Sequence, residues 1–181
     1  MSFYENRVLP KLINLACTGK PTRKQREKIV PLAYGDVLEI GFGGGLNLPY
    51  YDGDKVRQVF GLEPSEGMRR SAAENIAASA VDVELIDLPG EEIPLDDNSV
   101  DSILVTYTLC TIPDAVAALR GMRRVLKPDG HLYYCEHAKA PDTDVHKWQR
   151  RLNGGWRRLS GGCNMDRDIP GLLKEGGFDI E

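Results

Sequence analysis

Along this chain, short apolar runs alternate with stretches of helical spacing. Residues 3–16 (FYENRVLPKLINLA) put Val8, Leu12 and Leu15 on one side at helical intervals, which predicts an opening helix. The basic patch at 20–28 (KPTRKQREK) reads as a solvated helix face. From residue 37 the pattern changes. VLEIG (37–41), VFGLE (59–63), VELI (83–86), SILVTY (102–107) and HLYYCE (131–136) are apolar runs of strand length. Between the second and third, Ser65 and Glu66 open an alanine-rich helix through Ala80. Thr111, Pro113 and Asp114 mark a further helix start, and Lys127-Pro128-Asp129-Gly130 its stop. Strands separated by helices of this length predict an α/β fold, with a mostly parallel sheet covered on both faces. The tail differs. Asp168-Ile169-Pro170 starts a last helix and Gly176-Gly177 ends it. FDIE (178–181) then predicts a strand cut short, either at the sheet edge or in a protein that continues beyond Glu181.

Length and charge narrow the function. The 181 residues amount to a single domain. There is no internal repeat and no low-complexity segment. A net charge of −4 gives no global field for nucleic acid. No apolar run approaches the roughly 18 residues of a membrane span, and the first residues lack the apolar core of a signal peptide. The four cysteines (Cys17, Cys110, Cys135, Cys163) are scattered without a C-x-x-C pair. They read as reduced thiols of a cytoplasmic protein, with no metal site.

The most informative stretch is Glu39-Ile40-Gly41-Phe42-Gly43-Gly44-Gly45. Glycines at 41, 43 and 45 let the backbone turn tightly and approach a ligand without side chains. A dinucleotide fingerprint would need glycine at 46, where Leu46 stands, and the Gly-Lys-Ser/Thr of a Walker loop is absent. A buried acid at Glu39 would suit a cationic ligand or hold the loop's own amides. Glu63 ends the second apolar run, where an acid can accept hydrogen bonds from both ribose hydroxyls of an adenosine ligand. In sheets of this kind ligands bind at the carboxyl ends of the strands, where the strand order reverses.

These residues resemble a class I S-adenosylmethionine (SAM)-dependent methyltransferase across 35–136. VLEIGFGGG is similar to the family's first motif, and GLEPSEGM to its second. LPGEEIPLDDNSVDSILVTYTLCTIPD resembles the third-to-fourth strand segment, and VLKPDGHLYYCEH the run into the fifth. The resemblance implies a Rossmann-like, doubly wound sheet. It also implies SAM as cofactor, with S-adenosylhomocysteine as product, and a small-molecule acceptor. It divides the chain into an N-terminal helical lid (1–34), a SAM-binding core (35–136) and an acceptor-side segment (137–181). By the resemblance SAM is held by Glu39, Gly41, Gly43, Gly45, Glu63, Pro64, Met68, Gly90, Glu91, Thr106 and Leu109. Pro89 stands where many relatives carry an aspartate for the adenine amino group, so that contact falls to backbone or to Glu91.

The C-terminal part, WQRRLNGGWRRLSGGCNMDRD (148–168), resembles a narrower pattern. With Glu136, His137 and the Leu-Cys of TLCTI, it points to the branch of thiol methyltransferases and bacterial phospholipid- or quinone-methyltransferase-like relatives. The animal enzymes of that branch carry an amino-terminal membrane anchor, and none is expected in this chain. Acceptor contacts are then expected from Tyr4, Asn47, Cys110, Trp148, Asn164 and Arg167. Phe3 and Tyr4, with Tyr50 and Tyr51 after a loop helix, are placed for a lid, although ordinary core or surface packing is the preferred reading for any one of them. His137 is the best-placed general base, and equally a structural histidine bonded to a carboxylate. Asp168 reads as a helix cap. Trp148 and Trp156 read as packing residues that wall the acceptor site. Cys110 and Cys163 lack a visible activating partner and read as inert thiols. The basic cluster Lys147, Arg150, Arg151, Arg157 and Arg158 reads as a solvated face or a peripheral contact for an anionic lipid surface.

Overall fold

The computed structural model describes residues 9–181, so the expectations for Phe3, Tyr4 and Val8 lie outside the described residues. Five strands form one sheet: β1 (Gly35–Ile40), β2 (Val56–Leu62), β3 (Asp82–Ile86), β4 (Val100–Thr106) and β5 (Leu126–Cys135). Their order is β3-β2-β1-β4-β5 and every neighbouring pair is parallel. Strands buried on both faces read as continuous apolar runs rather than alternating ones. Leu38, Ile40, Ile103 and Val105 face one core, and Val37, Val59 and Leu104 the other.

Among the described residues six helices surround the sheet: α1 (Leu9–Cys17), α2 (Lys20–Ile29), α3 (Glu66–Ala77), α4 (Ala115–Val125), α5 (Thr143–Leu159) and α6 (Ile169–Glu175). Their starts follow the capping residues. Ser65 Oγ accepts from Met68 N at 3.3 Å, Asp114 from Ala117 N at 2.9 Å and Asp168 from Gly171 N at 3.2 Å. Each satisfies one backbone donor that the first helical turn leaves open. Helix α4 buries Ala118, Leu119, Met122 and Val125 in the core that also receives Ile169 and Leu173 of α6. The opposite core takes Ala72 of α3 together with Val30 and Ala33, which follow α2.

Several expectations change. The glycine loop leads into one 3-10 turn, Leu48–Tyr50, rather than a helix. Helix α3 ends at Ala77, before Ala80. Lys127–Gly130 do stop α4, but as a bulge within β5: the register passes from Val100 opposite Leu126 directly to Ser102 opposite His131. Residues 178–181 form no strand. Phe178 instead folds back onto the core, its N–H donating to Leu173 O at 3.0 Å. On α1, Leu12 and Leu15 are exposed.

The chain leaves β1 toward β2 and β3 on one side, and β4 and β5 lie on the other. Connections from β1 and β4 therefore diverge, and a crevice opens between their carboxyl ends.

Candidate active site

That crevice holds a cavity of about 440 Å³, a size ordinary for a small-molecule site. Its first wall is mostly backbone. Gly41, Phe42, Gly43 and Gly44 line it directly after β1. Gly41 and Gly43 have φ of 70° and 59°, conformations that side-chain-bearing residues rarely adopt. A Cβ on Gly41 would lie 2.3 Å from Thr108 Oγ1, so glycine there also lets the loops after β1 and β4 touch. Glu63, at the end of β2, accepts from Gly43 N at 3.0 Å and from Ser65 N at 2.8 Å. Burial pushes its carboxyl up from the usual range, opposed by those two amides. A carboxylate has about four acceptor positions, so two remain for a ligand's hydroxyls. Met68 also lines the cavity.

Glu39 sits at the floor, 1% exposed. It does not hold the loop's amides, as one reading had it. Asn47 Nδ2 donates to it at 2.8 Å and Tyr51 OH at 2.6 Å. Asn47 also donates to Thr106 Oγ1 at 3.0 Å and accepts from Arg26 Nε at 2.9 Å. Burial raises the Glu39 carboxyl to about 7, against the lowering pull of Tyr51, Asn47 and Arg26. Tyr51 is thus a floor residue rather than part of a lid. Arg26, read from sequence as part of a solvated face, is 5% exposed and reaches into the cavity. Its guanidinium lies 5.5 Å from the centre of the Tyr107 ring.

The second wall is made of side chains from distant segments. Thr106, Tyr107, Thr108, Cys110 and Thr111 come from β4 and the loop after it, His137 from the end of β5, and Trp156 and Cys163 from the C-terminal part. Tyr107 holds φ of 56°, a conformation that costs a non-glycine residue of order 1–3 kcal/mol and that clusters at ligand sites. The loop after it is fastened by Glu136, whose carboxylate accepts from the N–H groups of Thr108 (2.5 Å), Leu109 (2.8 Å) and Cys110 (3.3 Å). Burial raises Glu136 to about 7 despite these donors. His137 packs on the Tyr107 ring with centroids 4.9 Å apart. The residue is exposed, and the partial burial of its ring lowers its pKa, which favours the neutral imidazole, able to accept a proton.

Other expected contacts fall elsewhere. Gly45 is a turn residue packed near Leu48 and Phe42 rather than a lining one. Pro64 is exposed. Gly90 packs against Ile112 and Ile40, and Glu91 accepts from Asp114 N at 3.3 Å, so neither is brought to the cavity. Leu109 is fully buried, its N–H held by Glu136. Asn164 donates to Cys110 O (2.9 Å) and Gly162 O (3.1 Å). Arg167 donates to Leu109 O (2.5 Å) and Ile112 O (2.6 Å), fastening the loop after β4 rather than facing the cavity. Trp148 is 61% exposed beside Arg151, so of the two tryptophans only Trp156 walls the site. Cys110 and Cys163 are not isolated thiols: their sulfurs are 3.4 Å apart. Among the described residues no group of three or more His, Cys, Asp or Glu side chains is arranged to hold a metal ion, and no helix is long and apolar enough to cross a membrane.

Residues 38–134, more than half of the chain, match the family described as "Methyltransferase domain". The chain belongs to this methyltransferase family. It is 30% identical over 146 residues to human thiol S-methyltransferase TMT1A, covering 78% of this chain and 59% of that protein. Over 90 residues it is 36% identical to a demethylmenaquinone methyltransferase of Staphylococcus aureus, covering 50% of this chain and 36% of that one. The methyltransferase chain thus spans little more than half the length of the first of these relatives. A putative methyltransferase from Bacillus halodurans superposes with a TM-score of 0.69 at 19% identity, over 89% of this chain and 69% of that one. A SAM-dependent methyltransferase from Thermotoga maritima, described as a possible histamine N-methyltransferase, gives 0.67 at 22%, over 98% and 80%. The fold is that of class I methyltransferases.

Proposed function

We propose that this methyltransferase transfers the methyl group of SAM to a small, partly apolar acceptor, with a thiol the leading candidate. The observation that carries the reading is the pairing of two unlike walls in one cavity. A glycine backbone with the Glu63 carboxylate faces an apolar wall that includes His137. The residues fit the donor. The bare loop at Gly41–Gly44 suits its methionine part and the free acceptor positions of Glu63 its ribose. The buried Glu39 carboxyl supplies negative potential for a cationic centre.

When bound, SAM supplies a methyl group already activated on sulfonium sulfur. The protein's part is alignment, which is worth roughly 7–11 kcal/mol in well-oriented reactions. Tyr107 and Trp156 line the acceptor side. A thiolate acceptor benefits from apolar surroundings, because its charge is neutralised on the way to the transition state. The neutral His137 imidazole accepts the proton of an acceptor that does not ionise by itself. A thiol, with a reference pKa of about 8.5, needs the least help. The likeness to the human thiol S-methyltransferase supports the thiol reading. We place the protein in the cytoplasm as part of this proposal.

A second reading has a specific observation behind it. Helix α5 exposes Val145, Trp148, Leu152 and Trp156 at helical spacing, with Arg151 over the Trp148 ring at 5.6 Å. Trp156 also lines the cavity, so this apolar stripe runs to its mouth. A basic, aromatic face of this kind suits an anionic lipid surface and an amphiphilic acceptor such as a quinone precursor or phospholipid headgroup. Radiolabelled SAM with thiols, phenols and amines, free and in anionic vesicles, separates the readings. Transfer to free thiols is expected. Transfer that requires vesicles would favour the second reading. Tight binding of SAM with transfer to none of them would mark a SAM-binding protein without catalysis.

A further inference from the structure

We propose that Cys110 and Cys163 are a redox-modification site, a pair of thiols that a peroxide converts reversibly to a disulfide, locking the acceptor wall of the cavity. Their sulfurs are already in contact at 3.4 Å. The residues are 1% and 8% exposed and both line the cavity, through which a molecule as small as a peroxide can reach them. The backbones that carry them are tied together. Asn164 N and Asn164 Nδ2 both donate to Cys110 O, each at 2.9 Å. Arg167 fastens the same loop through Leu109 O and Ile112 O. A disulfide needs the sulfurs at about 2.0 Å. The sulfurs therefore have a little over 1 Å to close.

The two thiols are also unlike. The hydrogen bond with Cys110 lowers Cys163 to about 6, opposed by burial and reinforced by Trp156 and the Arg167 charge. The same hydrogen bond, then burial and the nearby Glu136, raises Cys110. Cys163 is therefore the attacking thiolate and Cys110 the resolving thiol. The Cys163 thiolate attacks one peroxide oxygen. The O–O bond breaks and the departing hydroxide or alkoxide takes a proton from solvent, leaving a sulfenic acid. The Cys110 sulfur then attacks Cys163 sulfur, and its proton leaves with the hydroxyl as water. The two thiols lose two electrons and the peroxide gains them. A small dithiol reverses the step by exchange.

The test uses the full chain and does not depend on methyl transfer. The protein is treated with stoichiometric hydrogen peroxide at pH 7, alkylated with iodoacetamide, digested and read by mass spectrometry. A Cys110–Cys163 cross-linked peptide is expected, lost with dithiothreitol and absent from Cys163→Ser. In Cys110→Ser, Cys163 should accumulate as a dimedone-trapped sulfenic acid. Oxidation of the wild-type protein without this cross-link overturns the proposal, and that measurement keeps it decidable even if a serine variant fails to fold.

Discussion

The two walls of the cavity are built by different means. The donor wall is a contiguous turn after one strand plus a carboxylate from the next, and its main chemical surface is backbone. The acceptor wall gathers Cys110, His137, Trp156 and Cys163 from segments far apart in sequence, and its surface is side chain. A wall of backbone tolerates little change in conformation but carries little specificity. A wall of side chains can be altered without disturbing the strand ends beneath it. Substitutions on the donor side should therefore damage binding for every acceptor, and those on the acceptor side should discriminate between acceptors.

The largest expected effect sharpens that contrast. His137→Ala should slow transfer to a phenol or amine by about 10²–10⁴-fold, the usual contribution of a general base, and to a thiol much less. Steady-state rates across a panel of acceptor pKa values check this, and equal losses would remove His137 from proton transfer. On the other wall, Gly41→Ala should lower stability and SAM affinity whatever the acceptor. Overpacking against Thr108 costs roughly 1–3 kcal/mol, and the left-handed backbone about 1–2 more. Thermal unfolding and calorimetry read both. Glu63→Ala should weaken SAM by about 1–3 kcal/mol through a lost charged hydrogen bond. Unchanged affinity would show that the ribose lies elsewhere.

The smallest effect concerns pH. Glu39 and Glu136 are held near 7 in the folded protein, above the ordinary 4.5. Each then favours folding most below about pH 4.5, and that contribution is lost as pH rises through about 7. Glu39→Gln should flatten one proton's worth of this decline, at most about 1.4 kcal/mol per pH unit. Denaturant titrations at pH 5, 6 and 7 measure the slope, and an identical slope in the variant would mean that Glu39 is not the titrating group.

What the sequence made legible follows the same division. Strand positions, parallel pairing and the crevice came from apolar runs and helix stops, because a sheet buried on both faces leaves an unbroken apolar signature. Gly41, Gly43 and Glu63 came from spacing, because a ligand-facing turn needs its glycines next to one another in sequence. Arg26 did not, because its neighbours Lys24 and Lys28 are exposed and only tertiary packing turns one arginine of the patch inward. Tyr107 was missed as a special residue because nothing in Val-Thr-Tyr-Thr signals positive φ. The Cys110–Cys163 contact was hidden by the separation of its partners along the chain. Gly90 and Glu91 were carried by resemblance alone, and they sit in a loop whose packing against Ile112 and Asp114 turns them from the cavity.

Three successive peptide N–H groups aimed at one point are what many proteins use to capture a phosphate or carboxylate from solution. Here the cradle is already filled from within, by Glu136. An acidic compound would find none of these three donors free. The turn after β4 is thus held in shape by an anion that the molecule supplies to itself.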